Sequence, residues 1–283
     1  MKAAATAIAL LFPVAVFAAG SRVAPPYLGA ISTEYPSGRV LFADRADAKC
    51  LPASCTKLMT ARLVLKAVRE KRLSFDDRIY QTKLSAGEEP SKLGLAPGEW
   101  VTVSNAVAAL MVKSANDVAV ALAERIGGSV EGFVAQMNAE AADIGMANTR
   151  FVSPNGLPPP KGSRRGYDVS TPADLARLAA ALVRDEPEIL GFTSLVSVDI
   201  PGTGGKTLTF RNHNNLLWKK GLAMREVDGL KTGYFKSAGF SIVATGSRRG
   251  RRAIVVVAGS ADPRARDAAA RDLLSKALDA IDW

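Results

Sequence analysis

The chain has 283 residues, of which 48% are hydrophobic and 23% charged, and its formal net charge is +10. That length and balance support a full hydrophobic core and exclude disordered, collagen-like and coiled-coil classes. The cationic surplus favours anionic partners such as acidic polymers, lipid headgroups or nucleic acid.

The chain opens with MKAAATAIALLFPVAVFAAG. Lys2, an apolar run broken by Pro13, and then Ala18, Ala19 and Gly20 form the pattern of a secretory signal peptide over residues 1–18. Cleavage is expected after Ala18, with Val16 and Ala18 at the positions a signal peptidase reads. The run is too short for an anchor, and no later stretch is long and apolar enough to span a bilayer. Residues 19–283 are therefore expected outside the cytoplasm, in the periplasm or cell-wall space, where nucleic acid is not a partner.

Residues 27–33 and 39–43 predict two strands joined by the turn YPSG. A helix is predicted to start near Ser54, with Leu58, Leu65 and Val68 on one face and charges opposite. SAGEEPSKLGLAPGEW, residues 85–100, reads as a loop punctuated by Pro and Gly. Residues 102–112, 115–127 and 130–145 read as helices, the second ending at Gly127–Gly128. SPNGLPPPKGSRRG is a long loop. Residues 171–185 predict a helix capped by Thr171, with Pro172 at its first position. Residues 208–212, 227–234, 239–246 and 253–260 predict strands, and a last helix runs from about Arg264 to the end. SRRGRR, residues 247–252, lies between two apolar runs and reads as a solvated hairpin turn. The pattern predicts an α/β fold of the α+β type. An antiparallel sheet built from the two ends of the chain is flanked by helices, with a mostly helical lobe beside it in one compact unit. A cleft where the sheet edge meets the helices is the natural place for a site.

Elimination narrows the chemistry. The chain has one histidine, His213, so a Ser-His-Asp triad must use it or not exist. No His/Cys cluster has metal-ligand spacing, and no Gly-rich phosphate loop follows a strand. Neither a metal nor a cofactor is expected. Cys50 and Cys55 flank Pro52, where a disulfide would brace the turn before Ser54; the reading preferred is two separate small buried hydrophobes.

PASCTKLMT, residues 52–60, sets Ser54 and Lys57 three apart, so that an ammonium can lie beside a hydroxyl on one helix face. Burial and a second cation lower a lysine pKa and free its lone pair, and a helix N-terminus favours an oxyanion. In SAN, residues 114–116, Ser114 can relay a proton and Asn116 can hold an acyl chain. In KTG, residues 231–233, Lys231 can bind a carboxylate, Thr232 can hydrogen-bond it, and Gly233 lets a ligand approach closely. Each triplet alone is also what a cap or a turn supplies; the three together, in this order, carry the signal.

With these triplets and the segments LGLAPGEWVTV, SANDVAVALAE, FVAQMN, MANTRFVSPNGL, FRNHNNLLW and VDGLKTGY, the chain resembles the low-molecular-mass penicillin-binding proteins. Within them it is similar to the D-alanyl-D-alanine carboxypeptidase family, with a β-lactamase/transpeptidase-like fold, from about Tyr27 to near the C-terminus. The resemblance implies that Ser54 is the nucleophile and Lys57 its general base, and that Ser114 passes a proton to the departing D-alanine. It implies that Asn116 orients the peptide, that Lys231 and Thr232 receive its terminal carboxylate, and that backbone N–H groups of Ser54 and Tyr234 hold the oxyanion. Peptidoglycan stem peptides are the implied partners, in synthesis of the cell wall and maintenance of cell shape, and β-lactam antibiotics the implied covalent inhibitors. Members of the family often continue into a β-rich domain and an amphipathic membrane anchor; neither is expected in this sequence, which leaves membrane association open. A D,D-endopeptidase that cuts cross-links is the first alternative. A β-lactamase follows, weakened because residues 149–168 hold no glutamate to activate water, and a non-catalytic β-lactam or cell-wall sensor is last.

Overall fold

The computed structural model describes residues 25–281 except 203 and 205; the signal peptide expected at 1–18 lies outside them. In chain order the strands are β1 (Gly29–Tyr35), β2 (Val40–Asp44), β3 (Arg78–Tyr80), β4 (Trp100–Thr102), β5 (Ser197–Pro201), β6 (Thr207–Arg211), β7 (Val227–Phe235), β8 (Gly239–Arg248) and β9 (Arg251–Ser260). The helices are α1 (Lys57–Arg69), α2 (Lys83–Ala86), α3 (Val103–Ala108), α4 (Asn116–Gly127), α5 (Val130–Asp143), α6 (Pro172–Asp185), α7 (Ile189–Thr193) and α8 (Pro263–Ile281).

Five strands form one antiparallel sheet in the order β2-β1-β9-β8-β7, so the two ends of the chain meet in it and β7 is left at an edge. Alternation along a strand sends neighbouring residues to opposite faces. In β9, Ile254, Val256 and Ala258 join the core shared with α1, α4 and α6, whereas Ala253, Val255 and Val257 pack under α8 against Leu274 and Leu278. Because both faces are covered, this strand reads as a continuous apolar run rather than as an alternation.

The sheet and the long helices agree with the sequence, and SRRGRR does form a hairpin, but only Arg249–Gly250 make its turn: Arg248 and Arg252 lie in β8 and β9 and pair with Glu226, Asp279 and Asp228 instead of facing solvent alone. The strand at 207–211 does not enter the main sheet but pairs with β5 in a separate hairpin. The loop over 85–100 gives up its two ends, to α2 and to β4, which pairs with β3. Strands of three residues carry too few alternations to show a period. The helix expected at 102–112 is divided: Thr102 caps α3 by accepting from the Asn105 N–H, and Ala109–Lys113 widen into a π turn that ends at Ser114 with φ 63°.

The largest correction concerns α1. Its charges do not all face solvent, because Lys57 through Leu65 are all buried. Arg62 donates to Glu140 of α5 at 2.8 Å, to Asp185 at 2.9 Å and to Glu186 at 3.3 Å. Lys66 completes the Glu140 pair at 2.7 Å, and Arg69 reaches Glu186. This cluster ties the central helix to α5 and to the end of α6. Replacing Arg62 by Ala leaves two buried carboxylates short of their shared cation, and a loss of about 3–5 kcal/mol is expected. A drop in the denaturant midpoint, at unchanged m-value, checks it.

Candidate active site

The chain enters the site through a 3₁₀ turn, Ala53–Thr56, that runs directly into α1. Ser54 therefore sits in this turn, just ahead of the α-helix rather than within its first turn. Ala53 takes φ 49°, a left-handed conformation that costs a non-glycine residue about 1–2 kcal/mol. The turn is gripped from two sides. At Gly156, φ 80°, an added Cβ would lie 1.9 Å from the Ala53 carbonyl oxygen; at Gly233 it would lie 2.6 Å from the Pro52 oxygen and 3.1 Å from Ser54 N. Only glycine lets the 153–156 loop and β7 approach this closely.

Lys57 is wholly buried, and its three donor directions are all assigned. Nζ lies 2.6 Å from the Asn155 carbonyl oxygen, 2.7 Å from Asn116 Oδ1 and 3.1 Å from Ser54 Oγ. The two short contacts go to oxygens that can only accept. The third, longer one goes to a hydroxyl that can also donate. A neutral amine keeps two N–H bonds and one lone pair, so this arrangement points the lone pair at Ser54. The charge environment favours the neutral form: burial, then the nearby Lys231 ammonium, hold the Lys57 pKa well below its usual value, while Asp168, Cys55 and Glu88 oppose this.

The other residues singled out from the sequence converge on the same place. Asn116 opens α4, and its Nδ2 donates to the Glu89 carbonyl at 3.3 Å, which turns Oδ1 toward Lys57. Ser114 is buried, and its Oγ has no hydrogen-bond partner among the described residues. On β7, Lys231 and Thr232 are buried, with Lys231 Nζ donating to the Thr232 carbonyl at 2.9 Å; burial, with Arg266 adding to it, pushes the Lys231 pKa down to about 8. The Tyr234 ring points outward, exposed, and stacks on Phe240 with centroids 4.0 Å apart. The Tyr234 backbone lies one residue beyond Gly233, the glycine that touches the turn. His213 is an exposed residue whose imidazole is nonetheless poorly placed for charge: desolvation, then Lys231, Lys113 and Arg266, push its pKa down to about 4.

Several participants went unassigned in the sequence. Asn155 acts through its backbone oxygen, which no residue type announces. Asp168 is buried and accepts from Thr56 Oγ1 and the Val152 N–H at 2.7 Å each, and from the Ser153 N–H and Oγ at 3.0 Å each. It fastens the Asn155 loop to the turn that carries Ser54. Burial raises its pKa despite those four bonds.

The site is thus a serine–lysine pair beside the edge strand of a five-stranded antiparallel sheet clasped by helices. Residues 28–262 match the family described as D-alanyl-D-alanine carboxypeptidase, and the chain belongs to that family. It is 34% identical over 278 residues to D-alanyl-D-alanine carboxypeptidase DacC of Escherichia coli (strain K12), a match covering 93% of this chain. The chain spans 65% of that relative's length. The crystal structure of D-alanyl-D-alanine carboxypeptidase DacD from Francisella tularensis superposes with a TM-score of 0.84 at 26% identity, covering 95% of this chain and 74% of that one. Penicillin-binding protein D2 from Listeria monocytogenes, in its ampicillin-bound form, superposes with a TM-score of 0.75 at 29% identity, covering 91% of this chain and 99% of that one.

Cys50 and Cys55 are free and buried, as two separate small hydrophobes. Burial pushes their pKa values up to about 12 and about 11. Thiolate, the reactive form, is therefore scarce at neutral pH. Titration with a thiol reagent at pH 8 is expected to find neither cysteine in the native protein and both in guanidinium chloride.

Proposed function

We propose that this chain is a serine-type D-Ala-D-Ala carboxypeptidase, removing the terminal D-alanine from peptidoglycan stem pentapeptides through an acyl-enzyme. The observation that carries this reading is the placement of Lys57: two N–H bonds committed to Asn155 and Asn116, and a third direction left to the Ser54 hydroxyl. Ser54 Oγ attacks the penultimate D-alanine carbonyl while its proton passes to Lys57. The backbone N–H groups of Ser54 and Tyr234 receive the oxyanion; the position of β7 at the sheet edge, with Gly233 against Ser54, supports this. Ser114, with its unengaged hydroxyl, carries a proton to the leaving amine. Lys231 and Thr232 take the terminal carboxylate, and Asn116 orients the peptide. Water then cleaves the ester. β-Lactams acylate the same serine.

The cationic surplus of the chain suits a polymer rich in carboxylates. Export to the periplasm or cell-wall space rests on the sequence of residues 1–18. Among the described residues no helix is long and apolar enough to cross a membrane.

Purified residues 19–283 incubated with mixed muropeptides are expected to shorten pentapeptide monomers by one alanine, read by mass spectrometry, with cross-linked dimers intact. Dimers falling to monomers would replace this reading with an endopeptidase. Covalent labelling by a fluorescent penicillin is expected to vanish in Ser54→Ala and to fall about 100-fold or more in Lys57→Ala; labelling that survives Ser54→Ala would refute the nucleophile.

The two lysines set the pH profile. Lys57 works without its proton, so kcat/KM rises with pH through its depressed pKa. Lys231 works with its proton, so kcat/KM falls above about pH 8, where that charge is lost. In Lys231→Ala the alkaline fall is expected to disappear, with kcat/KM reduced about 10–100-fold, the worth of a charged hydrogen bond of about 1.5–3 kcal/mol.

A further inference from the structure

The segment Glu88–Gly94 does more than lead toward β4, because it braces the neighbours of Lys57 and Ser114. Glu88 Oε2 accepts from Asn155 Nδ2 at 2.9 Å, and Asn155 Oδ1 accepts from the Leu157 N–H at 3.0 Å. The Asn155 side chain is thereby held at both ends, next to the backbone oxygen that accepts from Lys57. The Glu89 carbonyl accepts from Asn116 Nδ2, and the Ser91 carbonyl accepts from the Asn116 N–H at 2.7 Å. Ser91 Oγ donates to the carbonyl of Lys113, the residue before Ser114, at 2.9 Å. The segment is itself moored to α4 by the buried Asp117 carboxylate, which accepts from the Leu93 N–H at 2.9 Å and the Gly94 N–H at 3.0 Å.

We propose that Glu88 is a positioning residue for the general base: its carboxylate aligns Asn155 and, from one residue away, partly balances the charge that Lys57 acquires when it takes the Ser54 proton. The proposal rests on the reading of Ser54 as nucleophile and Lys57 as base. Among the described residues no carboxylate hydrogen-bonds Lys57 Nζ, whose three contacts are all neutral. A carboxylate in contact would hold the lysine protonated and useless; none nearby would leave the ammonium uncompensated once formed. Charge set one residue away meets both needs. The charged or ionisable groups facing Lys57 are Lys231 from β7, Asp168 from the loop before α6, Cys55 from the nucleophile turn, and Glu88. Those facing Glu88 are Arg165, Lys57 and Asp117. Glu88 is half-buried, which raises its pKa, but it lines a pocket of about 590 Å³ together with Glu131, Arg150 and Arg165, so the carboxylate remains within reach of solvent.

Two variants separate alignment from charge. Glu88→Gln keeps an oxygen for Asn155 and removes the charge; Glu88→Ala removes both. The experiment is the second-order rate of acylation by a fluorescent penicillin across pH, with folding checked by thermal unfolding. The acid limb of the profile is expected to move to lower pH by about half a unit or more in both variants, since each removes an anion that favours protonated Lys57. The plateau is expected to fall about tenfold further in Glu88→Ala than in Glu88→Gln, as Asn155 loses its acceptor. An acid limb that stays at the wild-type position in Glu88→Gln would overturn the proposal, and that variant decides alone if Glu88→Ala does not fold. Labelling that persists in Ser54→Ala would instead overturn the assignment of the nucleophile, and so identifies a failure of the underlying reading.

Discussion

The whole structure is organised around one amine taken out of water. Lys57 Nζ is buried and fixed to Asn155, Asn116 and Ser54, one contact from each wall of the site. Burying an ammonium without a touching carboxylate is costly, and that cost is what frees the lone pair. The surroundings must therefore be rigid, since a water or a carboxylate admitted to the pocket would restore the proton. The ion cluster about Arg62, one helical turn or so further along α1, serves that rigidity by fastening the same helix to α5 and α6.

Two kinds of contact bring the walls together. Glycines allow backbone to meet backbone: Gly156 lets the 153–156 loop rest on Ala53, and Gly233 lets β7 rest on Pro52 and Ser54. Buried carboxylates then fasten segments that have no regular structure of their own. Asp168 holds the Asn155 loop to the Ser54 turn, and Asp117 holds the 88–94 segment to α4. In each case the carboxylate accepts backbone N–H groups of a segment without regular structure, among them the buried Leu93 and Ser153. Ser54, Lys57 and Asn116 are thus placed by carboxylates that do not hydrogen-bond to them. The edge strand β7 lies against the Ser54 turn, and its Lys231 carbonyl accepts from Cys55 Sγ at 3.7 Å.

Much of this was legible in the sequence. The long helices α4, α5, α6 and α8 and the strands of the main sheet follow from long, regular apolar patterns, whereas the five-residue α7 does not, and the triplets containing Ser54, Ser114 and Lys231 carry the family resemblance. Short elements were not legible: β3 and β4 have three residues each, and β5 contains Asp199 and ends at Pro201, which weakens its strand signal. Nor was the burial of α1 on all sides, because Lys57 and Arg62 look like solvent-facing charges until their partners, contributed by distant segments, are in place.

By itself the sequence determined the chemical inventory: a serine and a lysine three apart, an SAN and a KTG. It also determined which strands are apolar enough to lie inside. Only the tertiary structure decided the protonation of that inventory and the identity of its supports. The pKa of Lys57 depends on the surrounding dielectric and on Lys231, 174 positions away in the chain. Its acceptors include a backbone carbonyl, which every residue possesses and which becomes functional only where the fold aims it. Spacing along a chain can bring a hydroxyl beside an amine, but the removal of water and the direction of a lone pair are properties of packed surfaces.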